Sequence, residues 1–82
     1  MIAVLFFGRM ADLVGRRQID IPASPEGDSL FGLRDHLLGE AIGARRLTAS
    51  DVRMSLNRVV HSADHPVTDG DEVAFFSIFS GG

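Results

Sequence analysis

Two apolar segments at opposite ends of the sequence decide the fold: MIAVLFF at residues 1–7 and EVAFFSI at residues 72–78. Both are almost continuously apolar and rich in β-branched and aromatic residues, which is typical of strands buried on both faces. The first segment ends at Gly8, and the second ends at residue 78 or 79. We therefore expect both segments to be central strands of one sheet.

The sequence between these segments predicts an edge strand and one main helix. After a short helical turn at residues 9–13, residues 16–21 alternate between polar and apolar side chains. Such alternation indicates a half-buried strand, here one that forms a hairpin with the first segment. Pro22 ends this strand because proline has no N–H to donate to a neighbouring strand. Asp28 or Ser29 can cap the helix that follows. The apolar stripe of that helix consists of Leu30, Leu33, Leu37, Leu38 and Ala41.

A further strand is predicted at residues 52–60, and residues 61–71 are typical of a loop. The order is then strand, strand, helix, strand, strand, which is the β-grasp arrangement of an α+β fold. In this fold one main helix packs across a mixed sheet, and the first and last strands lie side by side, central and parallel. Alternating βαβ units would need more helices than the chain supplies.

The composition indicates one small domain and excludes several classes of protein. The chain has 82 residues, of which 45% are apolar and 23% charged. We expect a single domain over residues 1–82 with a flexible C-terminal tail at residues 78–82. The net charge of −3 disfavours nucleic-acid binding. The apolar run at residues 1–7 is too short to cross a membrane and lacks the basic start of a signal peptide, which predicts a soluble, cytoplasmic protein.

The side chains that carry most metal and nucleotide chemistry are absent or badly spaced. The chain contains no cysteine, which excludes thiol catalysis, disulfides and thiolate ligands. All eight of its lysine-plus-arginine residues are arginines, so it has no P-loop lysine and no ε-amine to receive an acyl group. His36, His61 and His65 lack the spacing of a helical metal site. We therefore predict that the chain binds no metal and no cofactor.

The sequence ends in Ser80-Gly81-Gly82, directly after the last predicted strand. Glycines have no side chains, so such a tail can enter a narrow channel in which any Cβ would clash. A carboxylate at its end can attack the α-phosphorus of ATP and form an acyl adenylate, which sulfur or nitrogen nucleophiles can then attack. A diglycine after the last strand of a β-grasp pattern therefore indicates activation at Gly82.

One face of the predicted sheet is left uncovered. Phe75 and Phe76 are adjacent in the last strand, so their side chains point to opposite faces. The helix covers only one of these faces, and the other carries apolar residues that no segment of this chain covers. An uncovered apolar face is typical of a partner surface. We expect this face of the sheet to bind a partner.

The chain is similar over essentially its whole length to the MoaD family, the small subunit of molybdopterin synthase. The opening strand and turn of that family resemble VLFFG at residues 4–8 and DLVG at residues 12–15. The second half of the family resembles LNR at residues 56–58 and DHPVTDGDEVAFF at residues 64–76. The terminal diglycine completes the match, whereas residues 24–51 resemble the family only in their pattern.

The resemblance implies a ubiquitin-like sulfur carrier that is not an enzyme on its own. A MoeB-like, E1-like enzyme would consume ATP to adenylate Gly82, and sulfur transfer would convert Gly82 to a thiocarboxylate. Gly81 would let the tail thread into a MoaE-like large subunit, with which the chain would form a heterotetramer. There the thiocarboxylate would donate sulfur to cyclic pyranopterin monophosphate to form the dithiolene of molybdopterin. The partner surface would include Phe75, Ser77, Ile78, Phe79 and Ser80.

The sequence departs from the MoaD pattern at the start of the tail. The family commonly has Pro-Pro-Val there, and this chain has Ser77-Ile78-Phe79. Prolines would stiffen the exit of the tail. The departure leaves room for a related carrier that serves another pathway, such as the ThiS-like carrier of thiamine thiazole synthesis. Two further alternatives are a ubiquitin-like modifier of proteins and a plain β-grasp interaction module.

Overall fold

The computed structural model describes residues 1–44 and 47–77. In this part of the chain the strands are β1 (Ile2–Phe6), β2 (Gln18–Ile21), β3 (Asp28–Ser29), β4 (Val52–Leu56), β5 (Val59–His61), β6 (Pro66–Val67) and β7 (Glu72–Ser77). The helices are α1 (Arg9–Val14) and α2 (Leu30–Gly43), and a 3₁₀ turn (Ala49–Asp51) precedes β4. None of the helices in these residues is long and apolar enough to cross a membrane.

The two apolar end segments form neighbouring strands inside one five-stranded sheet. The strand order is β2-β1-β7-β4-β5, so both β1 and β7 have a neighbour on each side. They are parallel, with Val4 opposite Val73 and Phe6 opposite Phe75. β2 is an antiparallel edge strand next to β1. The predicted hairpin, the edge strand and the central parallel pair are therefore confirmed.

Helix α2 begins where the sequence predicts and packs on one face of this sheet. The Ser29 side chain accepts a hydrogen bond from the backbone N–H of Gly32 at 3.1 Å, which caps the first turn. Leu30, Leu33 and Leu38 are buried. They join a core that consists of Ile2, Val4, Phe6, Met10, Leu30, Leu33, Leu38, Leu47, Val52, Met54, Leu56, Val67, Val73 and Phe75.

The predicted single strand at residues 52–60 is wrong, because a tight turn divides it into β4 and β5. Asn57 and Arg58 have φ values of 50° and 70°, the left-handed conformation of a two-residue hairpin turn. The predicted loop after it also contains a short strand, since β6 pairs with β3 and places Ser29 opposite Pro66. The sequence pattern missed the turn because Asn57 is its one typical turn residue, and no glycine follows Asn57 to mark a hairpin.

Asn57 also ties this turn to the start of β7. Its backbone N–H donates to the Glu72 carbonyl at 2.7 Å, and its side-chain oxygen accepts from the Glu72 N–H at 2.9 Å. Its side-chain amide donates to Asp71 at 3.0 Å. Asp71 in turn accepts from the Thr68 backbone N–H at 2.8 Å. The hydrogen bonds to the Asp71 carboxylate lower its pKa from the ordinary value of 3.8, and the bond from the Thr68 backbone has the largest effect.

We expect the Asp71→Asn variant to be less stable than the wild-type chain at neutral pH and to approach it in acid. The pKa of Asp71 is lower in the folded chain than its unfolded value of 3.8. The ionised carboxylate therefore stabilises the fold at pH values above 3.8, and this stabilisation is lost as the pH falls through the folded-state pKa. Thermal unfolding at neutral pH and at about pH 3 measures the difference between the two chains. Asp20→Asn, at an exposed position of β2, is the control. An equal difference at both pH values would contradict the expectation.

Candidate functional site

The root of the predicted tail lies at the centre of the sheet. Ser77 is the last residue of β7 and lies opposite Val52, the first residue of β4. Ser77 is half-buried and is the last residue that the structure describes at this end. The predicted site residues Ile78, Phe79, Ser80, Gly81 and Gly82 lie outside the described residues. The structure therefore defines where the tail starts: beside the first residue of β4, two residues beyond the last pair between β1 and β7.

The assignment of Phe75 to the partner surface is wrong. Its side chain is 0% exposed and belongs to the core below α2. The ring stacks on Phe6 of β1, with centroids 5.9 Å apart and planes inclined by 21°. Neighbouring residues of a strand alternate between faces, so the burial of Phe75 places Phe76 on the opposite face.

We call that opposite side of the sheet the outer face, and its apolar residues are Leu5, Phe7, Val60, Ala74 and Phe76. Cross-strand register places Leu5 beside Ala74, and Ser55 between Ala74 and Val60. These residues line one shallow hollow together with Ser55, Arg58 and Glu72. The outer face is therefore apolar across β1 and β7, and Ser55 of β4 separates this apolar area from Val60 of β5.

Much of the outer face is open to solvent in the described residues. Phe7 is 52% exposed and Val60 is 64% exposed. Large apolar side chains grouped on one face of a small domain mark an interaction surface. The predicted uncovered face is present, and that a partner binds there remains a prediction. Sequence reasoning missed Phe7 and Val60, although the position of Phe7 just after a central strand was a usable signal.

Arginine side chains lie at the end of the sheet at which the tail starts. Arg17 lines a hollow with Phe7 and Asp12 at the beginning of β2. On the other side, Arg53 of β4 lies opposite Phe76. The Nε atom of Arg53 is buried and has no hydrogen-bond partner in the described residues. Arginine and aromatic side chains together are enriched in protein interfaces.

An acidic residue lies at the same end of the sheet. Hydrogen bonds from Thr48, and more weakly the positive charge of Arg9, lower the pKa of Asp51 from its ordinary value. The backbone N–H of Thr48 donates to the Asp51 carboxylate at 3.3 Å. Asp51 thus closes the turn that leads into β4. Its carboxylate holds this loop through the hydrogen bonds from Thr48.

The histidines form no metal centre within residues 1–44 and 47–77. The rings of His61 and His65 lie with centroids 4.7 Å apart, and Nδ1 of His65 is 2.7 Å from the Pro66 carbonyl oxygen. No group of three or more histidine, aspartate or glutamate side chains in these residues could hold a metal ion. His36 is exposed and lines a separate groove beside Ser29.

Residues 4–82 match the model of the ThiS family. The chain belongs to the ThiS family. This ThiS-family chain is 37% identical over 83 residues to the molybdopterin synthase sulfur carrier subunit of Escherichia coli (strain K12). The match covers 100% of both chains. The resemblance to MoaD is therefore confirmed by a relative that matches from end to end.

The fold of this ThiS-family member also resembles a solved structure. The crystal structure of SAMP1 from Haloferax volcanii superposes with a TM-score of 0.74 and covers 99% of this chain and 98% of that one. The two sequences are only 20% identical, so this likeness concerns the fold alone. With the parallel central strands and the helix packed across them, it confirms the predicted ubiquitin-like β-grasp fold.

Proposed function

We propose that this chain is the sulfur-carrier subunit of a molybdopterin synthase. The observation that carries the proposal is the 37% identity over the full length to the carrier subunit of E. coli. The position of the tail root beside an exposed apolar face supports it, because a carrier must hold its partner and deliver its tail in one step. On this proposal the chain supplies sulfur and does not catalyse a reaction on its own.

The proposed chemistry takes place at the carboxyl group of Gly82. One carboxylate oxygen attacks the α-phosphorus of ATP, and pyrophosphate leaves. Hydrosulfide from a sulfur donor then adds to the carbonyl carbon and displaces AMP, which leaves a thiocarboxylate. A MoeB-like, E1-like enzyme binds the ATP and performs the adenylation. This chain binds no nucleotide, and ATP is consumed only by its activating partner in the cytoplasm.

The second stage of the proposal takes place inside a MoaE-like large subunit. The thiocarboxylate sulfur attacks a carbon of cyclic pyranopterin monophosphate and displaces an oxygen substituent from it. Water then cleaves the resulting thioester, which returns Gly82 to the carboxylate while the sulfur stays on the pterin. Two such transfers supply the two sulfurs of the dithiolene, and two carriers with two large subunits would form a heterotetramer. The five tail residues after Ser77 reach at most about 17 Å when extended, so the pterin site lies within that distance of the sheet.

The proposal is tested by the mass of the intact protein. The chain is incubated with ATP, the E1-like enzyme and a sulfur source, and we expect exchange of one oxygen for one sulfur at Gly82. A variant that lacks Gly82 is the matched control and should not change in mass. If the wild-type chain also keeps its mass, while the same enzyme modifies a known carrier, the proposed function is wrong.

A ThiS-like role in another pathway is the second candidate, since the family model that matches the chain carries that name. Both roles need the thiocarboxylate, so only the sulfur acceptor distinguishes them. The thiocarboxylated chain is offered to the molybdopterin synthase large subunit with cyclic pyranopterin monophosphate. Formation of molybdopterin supports the first role. A failure to form it, while the thiazole-forming enzyme accepts the sulfur, supports the second.

A further inference from the structure

Arginines gather at the end of the sheet from which the tail leaves. β1 and β7 end there because they are parallel, and β2 and β4 begin there because they are antiparallel to these strands. Of the six arginines in the described residues, four lie at or next to these strand ends: Arg9, Arg16, Arg17 and Arg53. The sequence alone did not group them, since they come from three separate segments.

Three of these four arginines have no carboxylate partner in the described residues. The ion pairs found there involve Met1, Arg34 and Arg58. Arg9 interacts electrostatically with Asp51. The remaining three, which we call the arginine rim, are Arg16, Arg17 and Arg53. Arg16 and Arg17 are exposed, and Arg53 is half-buried with an unpartnered Nε. The exposed guanidinium groups of Arg16 and Arg17 therefore retain hydrogen-bonding capacity that a partner can use, whereas the Nε of Arg53 is buried.

The arginine rim is positively charged although the chain as a whole is negatively charged. The chain has a net charge of −3. Its opposite end carries Asp69, Asp71 and Glu72, which precede or begin β7. The molecule is thus basic around the tail root, whereas the far end is only weakly acidic, because Asp69 pairs with the Met1 ammonium group and Glu72 with Arg58. Such a separation of charge orients a protein as it meets a partner of complementary charge.

We propose that the arginine rim binds carboxylates of the large subunit that flank the entrance of its tail channel. This inference rests on the proposed function. The rim borders Phe7 and Phe76, so an apolar contact would be surrounded by charge-assisted hydrogen bonds. Arginine binds carboxylates through two parallel N–H···O contacts, which favours arginine over lysine in this role.

An extended tail would separate the arginine rim from the reaction centre at Gly82. Gly82 is five residues beyond Ser77, and an extended chain of this length spans about 17 Å. With the tail extended in this way, the rim would lie at the protein surface around the entrance of the channel, away from a nucleotide or pterin phosphate at the tip of the tail. The rim therefore acts on docking and orientation, and the chemistry at Gly82 proceeds without it.

The test measures binding of the thiocarboxylate-free chain to the large subunit of the same organism. We expect Arg17→Gln and Arg53→Gln each to weaken binding by about three- to tenfold at low salt, mainly through slower association. The effect should shrink as ionic strength rises, because exposed charges are screened. Val59→Glu is the control: it changes the net charge by the same amount at an exposed position on the other side of β5.

The outcomes separate the two proposals. If the wild-type chain does not bind the large subunit, the proposed function fails and the arginine rim fails with it. If the wild-type chain binds and both glutamine variants bind equally well, only the arginine assignment is wrong. The arginine assignment is also wrong if Val59→Glu weakens binding as much as the two glutamine variants do, because the change in net charge would then be the cause. Arg17 is fully on the surface, so Arg17→Gln keeps the test valid even if Arg53→Gln disturbs the fold.

Discussion

Replacement of Gly81 by valine lowers the rate of thiocarboxylate formation by about 100-fold or more, and an alanine added after Gly82 has a similar effect. Both changes place a Cβ, or a displaced carboxyl group, where the narrow tail site proposed for the activating enzyme would admit only a bare backbone. The free energy of unfolding stays within about 0.5 kcal/mol of the wild-type value, because the last strand of the sheet ends at Ser77. Intact mass and urea denaturation measure the two quantities.

A glycine elsewhere in the chain provides the control for this result. A Cβ added at Gly39 of α2 would meet no heavy atom within 4 Å. Gly39→Ala should therefore stabilise the helix by up to about 1 kcal/mol and leave thiocarboxylate formation unchanged. Wild-type rates for Gly81→Val would contradict the threading of the tail and favour the plain interaction module.

Phe75→Ala lowers the free energy of unfolding by about 3–5 kcal/mol, the largest stability change that we expect for any side chain of β7. The reason is its complete burial against Phe6, since removal of the ring leaves a cavity between two central strands. Total stabilities of small domains are about 5–15 kcal/mol, so this variant is partly unfolded or close to it. Urea denaturation of the purified variant measures the loss.

Phe76→Ala is the matched comparison, because the two residues are neighbours with the same side chain. Phe76 is only half-buried and lies on the outer face, so its removal costs about 1–2 kcal/mol of stability. It should instead weaken binding to the large subunit, which a titration detects. If Phe76→Ala unfolds the chain as readily as Phe75→Ala, the outer face is part of the core and the partner surface lies elsewhere.

The sequence predicted the strands and the helix cap for which the local residue pattern indicates the same structure that the fold requires. The continuous apolar runs of β1 and β7 indicate central strands, since only strands covered on both sides tolerate such runs. Ser29 could be identified as a helix cap because its side chain satisfies a free backbone N–H a few residues away. The hairpin turn at Asn57 and Arg58 was missed, because arginine in a left-handed conformation has no local signal.

The candidate site shows the same division. The diglycine and its proposed chemistry could be predicted from the sequence, because a reactive tail depends on residue type and order. The alternation of strand residues also required Phe75 and Phe76 to point in opposite directions. Alternation alone does not say which of the two meets the helix. The register that places Phe6 beside Phe75 decided this, and it turned the expected partner residue into a core residue.

The β-grasp order, the cap of α2 and the lack of thiols and ε-amines could be predicted from the chain alone, since each depends on residue identity or on neighbours along the chain. Which face of the sheet stays open depends on the folded arrangement, and so does the placement of Arg17 and Arg53 at one end of the sheet. The physical reason is that strands distant in sequence become neighbours through their hydrogen-bond register. That register arises when the helix and the sheet bury one common core.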